Sequence, residues 1–225
     1  MEIINIFGNF FLNLDKHLFE LVLEYGIWIY AILFLIVFLE TGLLVMAFLP
    51  GDALLFTAGT FCAGVKNDLG ETAELNLVLT LILLLIAAII GDGLNYYLGK
   101  HIGLKVLNWK IRNKSIVNPK YIIKTNEFYT LHGPKTIIIA RFLPIIRTFA
   151  PFVAGIAEMP YAKFARFNII GAFVWVFSLV FLGYFFGNLT FVKNNFEAMI
   201  LVIMLLSVLP IFIEIIRINC KKIKK

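Results

Sequence analysis

The sequence predicts an all-α polytopic membrane protein: about four transmembrane helices, two oppositely oriented re-entrant hairpins forming an inverted repeat, and an N-terminal interfacial amphipathic helix. Three observations carry this. Hydrophobic residues make up 61% of the chain against 15% charged, with mean hydropathy +0.92, which leaves too few polar residues to cover a soluble core. Several apolar runs reach the roughly 20 helical residues needed to cross a hydrocarbon layer of about 30 Å. Two further runs are equally apolar but too short or too broken by proline to cross, and they carry charge.

Residues 1–24 do not read as a signal peptide, because Glu2 replaces the basic start and Asp15, Lys16 and Glu20 interrupt the apolar residues. Phe7, Phe10, Phe11, Leu14, Leu18 and Leu21 recur at helical spacing, which fits a helix lying on the membrane or one capping the bundle. A span over 27–47 follows, with Glu40 deep inside it. The run 48–64 comes next without a polar break, and Pro50 to Gly64 is only 15 residues. That is too short to cross, so Pro50, Gly51 and the small residues after them point to a re-entrant hairpin with Asp52 near its first bend. A polar loop with Lys66, Asp68, Glu71 and Glu74 leads to a span over 75–99. Asp92 lies within that span, in GDGLNYYLG, where capping a bend is its simplest role.

The segment 100–135 is basic: Lys100, Lys105, Lys110, Arg112, Lys114, Lys120, Lys124 and Lys135 stand against Glu127 alone. In a membrane protein such a run marks the cytoplasmic face rather than a nucleic-acid patch. Then comes 136–157, TIIIARFLPIIRTFAPFVAGIA, which holds Arg141 and Arg147 and is broken by Pro144 and Pro151. Spans over 161–187 and 196–217 and a basic tail at 218–225 complete the single membrane domain, 1–225.

Parity decides how 136–157 sits. If it crossed, the two later spans would put Lys221, Lys222, Lys224 and Lys225 outside, against the positive-inside rule. A hairpin that enters and leaves on the cytoplasmic side keeps this C-terminus inside. The first hairpin opens to the opposite side. FLP at 48–50 with Ala58-Gly59 answers FLP at 142–144 with Ala154-Gly155, and the following spans close on the Gly-aromatic runs Tyr96–Gly103 and Gly183–Gly187. Inverted repeats with broken helices and charges near the midplane are transporter architecture.

Glu40, Asp52, Asp92, Arg141 and Arg147 are the charges at membrane depth, each costing about 2.5–3.5 kcal/mol there if left alone. They fit either a static set of salt bridges or a site in which carboxylates exchange protons while arginines hold an anion. Guanidinium keeps its charge, and its planar fork suits phosphate. Enzyme readings fare poorly. Neither HExxH nor GxSxG occurs, and His17, His101 and His132 fall outside the spans. A membrane aspartyl protease using Asp52 and Asp92 needs a GxGD pattern where this chain has LPGD. Cys62 and Cys220 offer no metal-ligand spacing, and nothing calls for a cofactor.

Taken together, the runs ETGLLVMAFLPGDALLFTAG (Glu40–Gly59), GDGLNYYLGKHIG (Gly91–Gly103) and HGPKTIIIARFLPIIRTFAPFVAGIAEMPYAKFARFNIIGAFVWV…GYFFG (His132–Gly187) resemble the DedA family. The likeness extends to VLEYGIWIYAILFL near the start and LPIFIEIIR near the end, so it covers nearly the whole chain. Family members are bacterial inner-membrane proteins, similar over this region to eukaryotic lipid scramblases of the VTT or SNARE-associated Golgi class. The resemblance implies two opposed re-entrant hairpins and a functional acidic pair at Glu40 and Asp52. It further implies a functional arginine pair at Arg141 and Arg147, and a role in recycling undecaprenyl phosphate or in proton-motive-force-dependent tolerance. The expected activity is proton-linked translocation of a lipid phosphate or phospholipid. The expected partners are membrane lipids, polyprenyl phosphate and protons, with no nucleic acid and with a homo-oligomer allowed. A proton/cation antiporter and a non-transporting membrane scaffold are the alternatives.

Overall fold

The structure is a computed structural model that describes residues 22, 24–43, 51–66, 72–108, 110–111, 114–115, 123, 127, 129–130, 132–186 and 189. The interfacial helix expected over 1–24 lies almost wholly outside the described residues. So do Pro50, the last residues of the span expected over 27–47, the span expected over 196–217 and the tail at 218–225.

Among the described residues six α-helices dominate: α1 (Trp28–Gly42), α2 (Gly51–Cys62), α3 (Leu77–Asn108), α4 (Thr136–Ala140), α5 (Pro144–Ile156) and α6 (Tyr161–Phe186). Two short antiparallel ribbons, Val65–Lys66 with Thr72–Ala73 and Lys110–Ile111 with Lys114–Ser115, tie loops beside α2 and α3. Helix α3 begins at Leu77, two residues after the start of the span expected over 75–99, with the Asn76 side chain capping it by accepting from Leu79 N–H at 3.0 Å. It does not stop at residue 99. It continues unbroken to Asn108, nine residues into the basic segment, because nothing between Gly99 and Asn108 is a proline that would stop a helix. Helix α6 matches the span expected there to within a residue.

At 1.5 Å per residue, α3 and α6 reach about 48 and 39 Å, enough to cross a membrane. Helices α2 and α5 reach only about 18 and 20 Å and cannot cross. The long helices are inside-out relative to a soluble protein. Val78, Ile82, Ile86 and Ile90 on α3 and Ile169, Ile170 and Phe173 on α6 are exposed, while Asp92, Asn95 and Asn168 are buried. Apolar residues outward and polar residues inward is the arrangement that lipid rewards.

The described residues form two compact units, one from 22–34, 51–84 and 176–189, the other from 35–43 and 85–175. In the first, α2 is enclosed on all sides: every residue from Ala53 to Cys62 is buried, as is Gly51, while Asp52 on the first turn is half-buried. It packs directly against α6. A Cβ on Gly59 would lie 2.1 Å from Val180 O, and one on Gly183 would lie 1.9 Å from Phe56 O. The two backbones touch, and only glycine permits it. Thr60 Oγ1 bridges the crossing to Gly183 O at 3.3 Å.

The second unit repeats this contact with other helices. A Cβ on Gly155 of α5 would lie 2.1 Å from Tyr96 O, and one on Gly99 of α3 would lie 2.1 Å from Phe152 O. In both units a Phe-x-x-Gly run on a short helix meets a glycine three residues past the contacted carbonyl on a long one. Around the second crossing Tyr96 stacks on Phe164 at 4.5 Å, with Ile137 and Ala154 completing the cluster. Each unit therefore joins the short helix of one sequence repeat to the long helix of the other.

Candidate functional site

The second unit buries four charged side chains, Glu40, Asp92, Arg141 and Arg147. The sequence places them there by breaking a helix. Pro144 forbids helical geometry at the residue before it, so Leu143 is extended at φ −120°, ψ 101° and α5 starts afresh with Pro144 in its first position. The Arg141–Leu143 break gives Arg141 a place between two helices, while Arg147 sits in the first turn of α5, its N–H bonded to Leu143 O at 2.9 Å. Pro151 lies inside α5. Lacking an N–H, it withdraws the helical bond from the carbonyl of Arg147 four residues earlier.

Two ion pairs result. Arg147 donates to Glu40 Oε1 of α1, and Arg141 donates to Asp92 Oδ2 of α3. Arg141 also donates to Asn168 Oδ1 at 2.6 Å, and that amide is itself oriented by donating to Ile89 O at 3.1 Å. Asn95 ties the surrounding helices together: its NH₂ donates to Thr41 O at 3.2 Å and to Thr148 O at 2.7 Å. The Arg141 Nε and Asn95 Oδ1 atoms are buried with no hydrogen-bond partner among the described residues. Both guanidiniums also lie over the Trp175 indole, Arg147 Cζ at 5.4 Å and Arg141 Cζ at 5.8 Å from its centre. Thr41, Asp92, Arg141, Arg147, Thr148 and Trp175 enclose a cavity of about 10 Å³, room for about one water molecule.

The residues singled out in the sequence separate here. Glu40, Arg141 and Arg147 meet in this site. Asp92, one of the five charges expected at membrane depth, sits inside an unbroken helix and forms the carboxylate partner of Arg141; helix α3 has no break at Gly91 or Gly93 for it to cap. Asp52 lies in the other unit, on the first turn of α2, with Gly51 opening that helix. Pro144 and Pro151 shape the helix that carries Arg147.

Three site residues escaped the sequence reading: Asn95, Asn168 and Trp175. A signal for each was present. Asn95 follows Asp92 by three residues and so shares its helix face. Asn168, Gly171 and Trp175 fall at i, i+3 and i+7, one stripe along α6. Gly171 is part of that seat: a Cβ there would lie 3.1 Å from Arg141 Cδ and Nε.

The long apolar helices and the buried arginine–carboxylate site define a helical membrane protein with a charged interior. The chain belongs to the DedA family of VTT-domain membrane proteins: residues 49–185 match the VTT domain. It is 50% identical to Protein DedA of Escherichia coli (strain K12) over 217 residues, covering 96% of this chain and 95% of that one. It is 36% identical to an uncharacterized membrane protein of Mycobacterium leprae (strain TN), over 79% of this chain and 75% of that one. Against Inner membrane protein YqjA of Escherichia coli (strain K12) it is 34% identical, over 82% of this chain and 80% of that one. No solved structure matches the chain.

Proposed function

We propose that this protein moves a lipid phosphate, of the undecaprenyl phosphate kind, or a phospholipid between the leaflets of the bacterial cytoplasmic membrane, driven by protons, without converting it chemically. The observation that carries the reading is the pairing of two buried arginines, one carboxylate each, around a cavity they share. Two guanidiniums side by side match a phosphate, which accepts from both forks at once. Protonation of Glu40 and Asp92 would release the arginines to that anion, and loss of the anion would restore the ion pairs. Asp52 is a further proton-exchanging carboxylate in this scheme, on the strength of the family resemblance.

The topology that suits this work has about four spans, with α2 and α5 as the crossing-incompetent arms of two re-entrant hairpins opening to opposite sides. The C-terminus lies in the cytoplasm. The short lengths of α2 and α5, the burial of α2 on all sides and the matching glycine crossings support it.

The experiment is a leaflet-exchange assay on purified protein in liposomes, offered a polyprenyl phosphate and a phospholipid in turn. Wild type should move at least one of them, and Arg147→Ala should abolish the movement; equal exchange by both proteins would overturn the proposal. The small cavity and the pairing of both Glu40 and Asp92 favour a second reading, a non-transporting scaffold locked by its salt bridges. In that case charge-swapped but still paired variants keep full cellular function.

A further inference from the structure

We infer that Trp175 is a positioning residue whose indole keeps the guanidiniums of Arg141 and Arg147 side by side when their carboxylates let go. The inference rests on the reading above that an anion replaces Glu40 and Asp92. The geometry asks for such a residue. Two like charges share one buried cavity, and each is held toward it by a carboxylate that the transport cycle must remove. Once those bonds break, mutual repulsion in a low-dielectric interior drives the two cations apart, and nothing in the ion pairs themselves preserves their spacing. The indole does not titrate, and both guanidiniums lie within cation–π range of its face.

The surroundings fix that indole. Trp175 is only 2% exposed, on the inward face of α6. The stripe it forms with Gly171 and Asn168 gives Arg141 a glycine to lie against and an amide oxygen to bond, so Arg141 keeps two contacts that do not depend on Asp92. Arg147 likewise keeps its indole contact when Glu40 lets go. Trp175 therefore bears on both cations. It should set the separation of the two forks, and so the size of oxyanion that bridges them.

A graded fluorotryptophan series tests this, because each added fluorine weakens the negative face of the ring with little change in its shape. Trp28→Phe and Trp109→Phe leave Trp175 as the sole tryptophan, and the protein is studied in lipid nanodiscs. One readout needs no ligand: the rate at which phenylglyoxal modifies Arg141 and Arg147 in a Glu40→Gln background, followed by mass spectrometry. The rate at Arg147 should climb with each fluorine; identical rates across the series would overturn the inference. The second readout is affinity for farnesyl phosphate, with inorganic phosphate as a headgroup-only comparison. It should weaken about tenfold from zero to four fluorines, with Trp175→Phe intermediate and Trp175→Leu worst. Affinity that stays constant along the series overturns the positioning role even where modification rates rise. Failure of unfluorinated protein to bind farnesyl phosphate would count against the phosphate reading alone, and the modification rates would then decide the case for Trp175.

Discussion

Asp92 and Arg141 form a buried ion pair that joins the middle of α3 to the break before α5, with Asn168 as a second acceptor for the same guanidinium. Removing one member of such a pair strands the other charge. Asp92→Asn or Arg141→Gln alone should lower stability by about 3–5 kcal/mol. The double variant Asp92→Asn/Arg141→Gln should recover much of that loss, since neutral amides carry no stranded charge. Thermal unfolding in detergent across the double-mutant cycle measures it; additive losses would show the two side chains to be energetically independent.

Arg147→Lys keeps the charge but loses the planar fork and most of the indole contact. If the fork is what binds phosphate, lipid movement should fall at least tenfold while the protein stays folded, as read by leaflet exchange beside circular dichroism. Undiminished exchange would reduce Arg147 to a point charge.

The glycine crossings leave no room for a methyl group. Gly59→Ala and Gly155→Ala each put a carbon about where a facing carbonyl oxygen lies. Each should force its helix pair apart and destabilise the protein by roughly 1–3 kcal/mol or more. A control at Gly26, where a Cβ meets nothing within 4 Å, should show only the strain of its positive φ. Unfolding midpoints of the three variants, ordered otherwise, would remove the close crossings from the account.

Tyr129, in the basic segment outside the spans, donates to Ala150 O of α5 at 2.9 Å. Burial first, and the Asp92 carboxylate second, push its phenol well above the ordinary value near 10. A raised folded value means its contribution is fully present below about pH 10 and is lost as pH rises from there through the folded value. Tyr129→Phe should cost about 1 kcal/mol at neutral pH and flatten the alkaline slope of stability. An unchanged slope between pH 9 and 11 would assign it to other groups.

How much of this was legible beforehand differs by element. The limits of α6 could be read from the sequence to within a residue, because apolar length and flanking polarity are strong signals. The far end of α3 could not, because the lysines that begin the basic segment are also good helix formers and leave no punctuation. Arg141 and Arg147 stood out, since charge in an apolar run has few explanations. Asp92 stood out with them as a charge at membrane depth, but the glycines around it suggest a bend, and only the packing of α3 against the break before Pro144 shows which arginine it meets. Asn95 and Asn168 are neutral amides in apolar helices, a weaker signal that helical periodicity would have strengthened. Trp175 looked like one more aromatic in an aromatic-rich chain until two cations were found on its face.

The crossed pairing of short and long helices also orders events during synthesis. Helix α5 meets a partner about 50 residues behind it, already made, as the Asn95–Thr148 bond across 53 residues illustrates. Helix α2 must wait for α6, 123 residues later by the Thr60–Gly183 contact. At roughly 5–20 residues per second that delay is on the order of ten seconds. Through it a helix too short to span the membrane has no partner for its glycine face. The half of the molecule that carries the arginines should therefore assemble first, and a released chain truncated after residue 175 should leave α2 open to proteases while Tyr96 and Phe164 are already stacked.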